Sequence, residues 1–443
     1  MSVHSATAAC WSCSGKACFA HSHLQDFMAE TLKISRLEKA LEWAVYVFSA
    51  SVLLSITVSQ AALLLIAILL VCLGAKDKNK AGAYFGRIKG SGLLLPFFLF
   101  FIAYIFSAMV GVDSKNSFSF LNSELLKALA CFALIAAVPG IKVSAAGAWY
   151  AAGATLAGAL GIWQFIQGNI YSNGIDFARA HGKMYAVTYG ETMAVALVFS
   201  LLCFINSKKE TFVRKAYFAS TLILAAAFSM SLSRGPAIGL AFALGMLYFF
   251  EPRSRKILRV AAVICFAALV AIFSAVPSLR LKLISIPRGM VQLVSGSKNA
   301  AAGVDDSSSI RMEMWKVGVK IIRDYPLGGV GPDNVKRIFG FYHPGLFDGR
   351  YNSNDVHNLY LQKTAEYGLP GGLIFVYLLV SFLRLVYKKY REFRSVESLW
   401  ALTALTGFYI MMLTDSSFHL PRVAMSLYFM LALSQTTDKQ AEG

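Results

Sequence analysis

Residues 90–111 read GSGLLLPFFLFFIAYIFSAMVG and contain no charged side chain. A helix needs about 20 apolar residues to cross a hydrocarbon layer of about 30 Å. A second stretch, RVAAVICFAALVAIFSAV at residues 259–276, carries one charge at its start. Lipid offers no water to satisfy backbone N–H and C=O groups, so such segments must be helical. Both stretches therefore predict helices that span a membrane.

The composition extends this interpretation to the whole chain. Its 443 residues are 57% hydrophobic and only 15% charged, with a mean hydropathy of +0.57. Soluble domains carry about 25% charged residues, so the composition excludes an ordinary soluble domain. The net charge of +18 would suggest a nucleic-acid partner in a soluble protein. In a membrane protein it reflects cytoplasmic loops, which collect Lys and Arg, and we expect no nucleic acid here.

Hydropathy and helix breakers predict an all-α polytopic protein with about twelve spans, at residues 43–55, 60–73, 93–110, 121–138, 143–165, 184–205, 216–232, 236–250, 257–276, 370–387, 399–413 and 423–433. Every second connection is basic, which predicts that these connections and both termini are cytoplasmic. The predicted organisation is a cytoplasmic tail (1–40), nine spans (41–276), a periplasmic loop with amphipathic helices (277–369), three spans (370–435) and a short cytoplasmic tail (436–443).

The N-terminal tail contains side chains that can bind zinc, namely Cys10, Cys13, Cys18, His21 and His23. Structural zinc sites need four well-spaced ligands, and the CxxC pair is not repeated. We therefore interpret the tail as mobile. Met28 opens an ordinary cytoplasmic lead-in to the first span, which favours it as an alternative start.

The loop at residues 277–369 is too long and too polar for a simple connection, and loops of this length are usually functional. Ser307 to Ser309 offer helix N-caps, and a stripe formed by Ile310, Met314, Val317 and Ile321 predicts an amphipathic helix that Pro326 ends. The following PLGGVGPDN reads as a tight structural turn. A second helix is expected from Asn354 or Asp355 to Gly368. His357 would lie in its first turn, where the helix dipole lowers the imidazole pKa.

Three arginines stand apart from the basic connections: Arg179, Arg234 and Arg311. Isolated cations at membrane ends can simply extend towards water. Arg234 has less freedom, because it lies in the tight SLSRGP connection between two spans. A guanidinium group suits phosphate because its planar fork donates two hydrogen bonds at once. We therefore expect these arginines to bind an anionic ligand on the outer side of the membrane.

Further polar residues lie in or near the outer connections. Glu191 falls within a span and is expected to pair with Arg179 or Lys183. Glu366 reads equally well as a surface residue. Asp415, His419 and Arg422 lie in the last outer connection and are candidates to line the same cavity as the three arginines. Arg280, Lys282, Arg288 and Lys298 in the outer loop contact either the phosphates of a bound lipid or solvent and membrane headgroups.

Several of these residues occur in an ordered set of motifs. The set comprises Arg179 with Gly182, SRG at residues 233–235, R-x-x-x-W from Arg311, P-L-G-G-V-G at residues 326–331 and H-N-x-x-L-Q-x-x-x-E-x-G from His357. It resembles the O-antigen ligase and polymerase superfamily. The resemblance covers about residues 175–370, and the HNxxLQ element is its most specific part. The chain length and the single long outer loop are similar to those of lipopolysaccharide O-antigen ligases.

The resemblance implies an inner-membrane glycosyltransferase of the GT-C type with its active site facing the periplasm. Its donor would be O-antigen on undecaprenyl diphosphate, its acceptor a sugar hydroxyl of lipid A core, and membrane lipids would surround it. His357 would be the general base, with Arg234 and Arg311 also catalytic. Arg179 would bind the diphosphate, and Arg288 and Asn358 would bind substrate. No DxD or HExxH pattern occurs, so we expect no metal or other cofactor and a single, inverting displacement.

Two other readings remain open at this stage. A polymerase or a protein O-oligosaccharyltransferase would use the same donor, and the acceptor pocket has no short motif to separate them. A lipid-linked oligosaccharide transporter is the alternative from another class. Transporters usually show paired halves and polar sites at the bilayer midplane, whereas the polar motifs here crowd one side.

Overall fold

The computed structural model describes residues 35–171, 178–263, 306–343 and 355–436. Within these ranges the chain is helical, with short 3₁₀ turns and no strand. The helices are α1 (35–51), α2 (Ile56–Lys76), α3 (Lys78–Gly90), α4 (Leu94–Val110), α5 (Ser114–Ser119), α6 (Leu121–Ala137), α7 (Val143–Tyr171), α8 (Ala186–Asn206), α9 (Phe212–Met230), α10 (Arg234–Phe250), α11 (254–263), α12 (Asp306–Asp324), α13 (Val335–Tyr342), α14 (Leu359–Phe393), α15 (Val396–Met411) and α16 (Pro421–Leu433). The all-helical prediction is confirmed.

Six helical segments of the described chain are long and apolar enough to cross a membrane: Ile56–Lys76, Ser114–Gly140, Val143–Gly168, Ala186–Asn206, Phe212–Met230 and Leu359–Phe393. Helices α3 and α4 form a further candidate, bent by 70°, and α10, α15 and α16 are shorter apolar helices. The polytopic membrane architecture is therefore confirmed. The count of twelve spans, the sidedness and the domain boundaries stay predictions, and most of the predicted span at 257–276 lies outside the described residues.

Helices α8, α10 and α15 form a tightly packed frame. Gly239 and Gly407 let α10 and α15 touch, because a Cβ on either would clash with the carbonyl oxygen of the other. The fully buried Trp400 of α15 donates its indole N–H to the Val195 carbonyl of α8, 2.9 Å away. These three helices hold in place the chain segments at their ends, at residues 186, 234 and 412.

A second, smaller core lies outside this bundle. Helix α12 forms as predicted and buries Met314, Val317 and Ile321. The rest of that core comes from the following turn, α13 and the start of α14: Val330, Val335, Ile338, Phe339, Val356 and Ala365. The amphipathic stripe thus docks α12 onto the segment that carries His357.

The PLGGVGPDN segment is the structural turn expected from its glycines. Gly329 and Gly331 have φ values of +66° and +91°, which residues with a Cβ rarely adopt. The N–H groups of Val330 and Gly331 donate to the carbonyls of Ala365 and Glu366, both at 3.0 Å. The turn therefore fixes α14 where that helix breaks.

Helix α14 begins later than predicted. Its N-cap is Asn358, whose Oδ1 accepts the Leu361 N–H at 3.0 Å. The expected start at Asn354 or Asp355 was wrong, and His357 precedes the helix with a φ of +50°. Gly368, with a φ of +72°, interrupts α14 close to the predicted end. His357 is therefore positioned by its side-chain contacts rather than by a helical turn.

Candidate active site

The guanidinium group of Arg179 is held against the connection between α9 and α10. Its Nε donates to the Ser231 carbonyl at 2.8 Å, and its Nη2 donates to Ser233 Oγ at 2.7 Å. The Ala180 N–H donates to the Met230 carbonyl at 2.9 Å. These bonds join residues 179 and 180 to the end of α9 and the connection before α10, which lie 50 to 54 residues further along the chain.

Arg234 is the first residue of α10, directly after the Ser233 that accepts from Arg179. Its side chain is exposed. The next residue, Gly235, packs so closely on Thr414 that a Cβ would clash with the threonine hydroxyl. This contact brings the start of α10 beside the segment that contains Asp415.

His357 is fixed by contacts from three segments. Its Nδ1 lies 3.4 Å from Oδ1 of Asp415 and 3.4 Å from Oδ1 of Asp355. The backbone N–H donates to Asp355 Oδ1 at 2.7 Å, and its carbonyl accepts from Trp315 Nε1 at 3.3 Å. The positive φ of such a residue costs about 1–3 kcal/mol, which the surroundings must supply. Since Nδ1 faces carboxylates, Nε2 is the nitrogen left for a substrate, and it has no hydrogen-bond partner among the described residues.

The hydrogen bond with Asp415 raises the pKa of His357 above its ordinary value. Burial opposes this shift, the charges of Asp355 and Asp415 add to it, and the charge of Arg311 lowers the pKa. The expectation that a helix dipole lowers the pKa was wrong, because His357 lies outside the helix and beside two carboxylates. A raised pKa makes the imidazole a stronger base, although it is protonated over a wider pH range.

Arg311 adds a positive charge to this cluster. Its charge acts on Arg179, on His357 and on Glu191. Burial, and then the charge of Arg311, lower the pKa of Arg179, yet an arginine stays protonated near neutral pH. Two guanidinium groups that repel each other form a place where an anion binds favourably.

Glu191 of α8 is fully buried next to this cluster. Its Oε2 accepts a hydrogen bond from Ser417, two residues after Asp415, and its Oε1 has no hydrogen-bond partner among the described residues. The expected pairing with Arg179 or Lys183 was wrong, since Arg179 bonds the α9–α10 connection instead. Glu191 therefore anchors the segment that carries Asp415.

The family comparison covers the central part of this arrangement. Residues 219–376 match the family model described as O-antigen ligase. The chain carries an O-antigen ligase domain. This confirms the family assignment expected from the motifs. No curated protein matches the chain.

The O-antigen ligase match contains Arg234, Arg311 and His357, whereas Arg179, Glu191 and Asp415 lie outside it. The sequence grouped Asp415, His419 and Arg422 as residues that line the same cavity as the arginines, and the structure brings Asp415 to His357. Arg422 lines a separate cavity instead. The sequence did not identify Asp355 as a partner of His357. Asp355 lies just before α14 and Asp415 lies just after α15. A carboxylate at each of these helix ends is the signal that could have identified both as partners of His357.

The remaining predicted residues divide into those described and those not. Asn358 is 8% exposed and caps α14 through Oδ1, and its role in substrate binding stays a prediction. Glu366 is buried rather than on the surface, and Lys363 Nζ lies 2.8 Å from it. Several predicted residues lie outside the described residues: Arg280, Lys282, Arg288, Lys298 and the N-terminal cysteines and histidines. In the described ranges, no three His, Cys, Asp or Glu side chains are grouped as metal ligands, and metal independence stays a prediction.

Proposed function

We propose that this O-antigen ligase family protein transfers O-antigen glycan from undecaprenyl diphosphate to a sugar hydroxyl of lipid A core. The reaction takes place on the periplasmic side of the bacterial inner membrane, in a multi-pass protein of the GT-C type. One observation carries the proposal. His357, with Nδ1 next to two carboxylates, lies within the electrostatic reach of Arg311, and Arg311 in turn lies close to Arg179.

His357 is the general base of this reaction. Asp415 and Asp355 engage Nδ1, which directs the lone pair of the neutral imidazole to Nε2. Nε2 takes the proton of the acceptor hydroxyl as its oxygen attacks the anomeric carbon. Asp415 then stabilises the imidazolium that forms, and a general base of this kind contributes about 10² to 10⁴ in rate.

The arginines bind the diphosphate of the donor. As the bond between the anomeric carbon and the diphosphate oxygen breaks, the electron pair goes to the diphosphate and adds negative charge there. Arg179 and Arg311 neutralise that charge in this proposal, and Arg234 adds a third guanidinium group from the start of α10. One bond forms and one breaks at the same carbon in a single displacement, so the anomeric configuration inverts.

The test is a reaction with purified protein, lipid-linked O-antigen and lipid A core, without nucleotide or added metal. We expect glycan-bearing lipopolysaccharide as the product, detected as a mass shift of the acceptor lipid. Longer chains that remain on the lipid carrier would show a polymerase instead, and glycan on a protein acceptor would show an oligosaccharyltransferase. Movement of the intact lipid-linked glycan across a vesicle membrane without transfer would show a transporter.

A further inference from the structure

A cavity of about 490 Å³ lies at the same end of the helix bundle as His357. Two of its walls continue the segments that build the active site. Residues 181–185 follow Arg179, and residues 420–422 follow Asp415. The two walls are tied together, since Arg422 Nη1 donates to the Lys183 carbonyl at 3.0 Å. The cavity is therefore a neighbour of the active site but contains none of its residues.

The polar lining of this cavity contains two cations, Lys183 and Arg422. The side chains of His181 and Thr188 complete it. None of the described residues that line the cavity is acidic. Arg422 is only 8% exposed, and a guanidinium group that is this buried is costly without an anionic partner. The charges favour an anion.

The remaining lining is largely apolar and comes from residues at or next to the ends of α2, α8 and α16. Ile56, Met184 and Leu420 form the walls, and the ring of Tyr185 is 79% exposed at the edge. Exposed aromatic rings of this kind lie at the level of lipid headgroups. A small soluble anion would gain nothing from the apolar walls, whereas an anionic group attached to a lipid would contact both the cations and the walls.

We infer that this cavity binds a phosphate group of the lipid acceptor. This inference rests on the proposed function. The donor is a poorer occupant, because its anomeric carbon is bonded directly to the diphosphate and must lie at His357, which does not line the cavity. The reactive hydroxyl of the acceptor is separated from its lipid phosphates by sugar residues. Those sugars can therefore reach from the cavity to the base.

The experiment measures ligation kinetics with two forms of the acceptor, lipid A core with its phosphates and the same lipid after enzymatic dephosphorylation. The variant is His181→Gln with Lys183→Gln, two exposed positions where glutamine keeps a polar side chain of similar size and removes the imidazole and the lysine charge. The matched control is Lys208→Gln with Lys209→Gln, which removes exposed lysines at the opposite end of α8. Donor KM is measured in parallel at a fixed acceptor concentration.

For the unchanged protein we expect the KM for the phosphorylated acceptor to be about tenfold lower than the KM for the dephosphorylated one. One charge-assisted hydrogen bond contributes binding free energy of about this size. The double variant should lose this difference and keep its kcat and donor KM, while the control should behave like the unchanged protein. The inference is overturned if the unchanged protein does not discriminate between the two acceptors, or if the double variant still does.

A binding measurement separates this inference from the proposed function. Native mass spectrometry of the purified protein with each acceptor form reports binding even where no ligation occurs. Preferential binding of the phosphorylated form that the double variant loses supports the cavity assignment, and absence of ligation would then refute only the proposed function. Equal competition by phosphatidylglycerol would show a general lipid headgroup site and overturn the assignment to the acceptor.

Discussion

Two groups of charged side chains lie near the start of α14, and they differ in how completely they are paired. In the first, Lys363 Nζ donates to Glu366 Oε2 and Gln362 Nε2 donates to Glu366 Oε1, both at 2.8 Å, and all three residues are buried. Each oxygen of that carboxylate has a donor within the same helix. This group is internally satisfied and stabilises the start of α14.

The second group is the cluster around His357, where the charges remain incompletely paired. His357 lies 3.4 Å from each of two carboxylates, Arg311 repels Arg179, and Glu191 leaves one buried oxygen without a hydrogen bond among the described residues. Burying polar groups without full pairing costs free energy, so such a cluster persists where a ligand completes it. Both groups are buried at least in part, so burial does not distinguish them. The charged side chains of the structural group are fully paired with each other, whereas those of the candidate site are not.

The largest expected effect comes from removing the base. His357→Ala should lower the rate of ligation by about 10² to 10⁴, since the acceptor hydroxyl then loses the imidazole that takes its proton. The change is measured as the initial rate of glycan transfer with both substrates saturating. Binding of the lipid-linked donor should be unchanged. Full activity in this variant would remove His357 from the chemistry.

Replacing a guanidinium group with an ammonium group should have the next largest effect. Arg311→Lys keeps the positive charge but loses the planar fork, and we expect activity to fall by about tenfold or more. The matched control is Arg323→Lys, an exposed position in the last turn of the same helix. If Arg311→Lys transferred glycan normally, the assignment of Arg311 to the diphosphate would be wrong.

Asp415→Asn should change the pH profile. The hydrogen bond with Asp415 raises the pKa of His357, so the unchanged protein loses its base form as the pH falls through that raised value. Without the carboxylate the pKa falls, and the acidic limb of the rate profile should move to lower pH. The plateau rate should also drop by up to about tenfold, because the imidazolium is no longer stabilised. An unmoved acidic limb would contradict the pairing.

The smallest effect on turnover should come from the paired group. Lys363→Met leaves a buried carboxylate without its cation, which costs roughly 3–5 kcal/mol of folding free energy. Lys363→Met combined with Glu366→Leu should recover much of that loss, since both charges are removed together. The midpoint of thermal unfolding measures both. While folded, each variant should ligate within about threefold of the unchanged rate, and a larger fall would place this pair in the active site.

The sequence predicted the site less well where two contacting side chains are far apart along the chain. The order of Arg179, Arg234, Arg311 and His357 was visible as motifs, and the described structure brings their segments together. The environment of His357 was not visible, because it depends on Asp415, 58 residues further along the chain. The mistaken start of α14 has a local cause. Asn354, Asp355 and Asn358 are all good N-caps, and only packing against Met412 and Trp315 selects the last of them.

The sequence by itself determined the membrane helices and the amphipathic stripe of α12. Lipid leaves an apolar segment no alternative to intrahelical hydrogen bonds, and a stripe at helical spacing follows from the period of the helix itself. Only the tertiary structure decided which carboxylates face His357, which hydroxyl donates to Glu191, and which carbonyl and hydroxyl accept hydrogen bonds from Arg179. Those contacts join segments that no local rule relates, and they exist because close packing of α8, α10 and α15 brings the ends of those helices to one place.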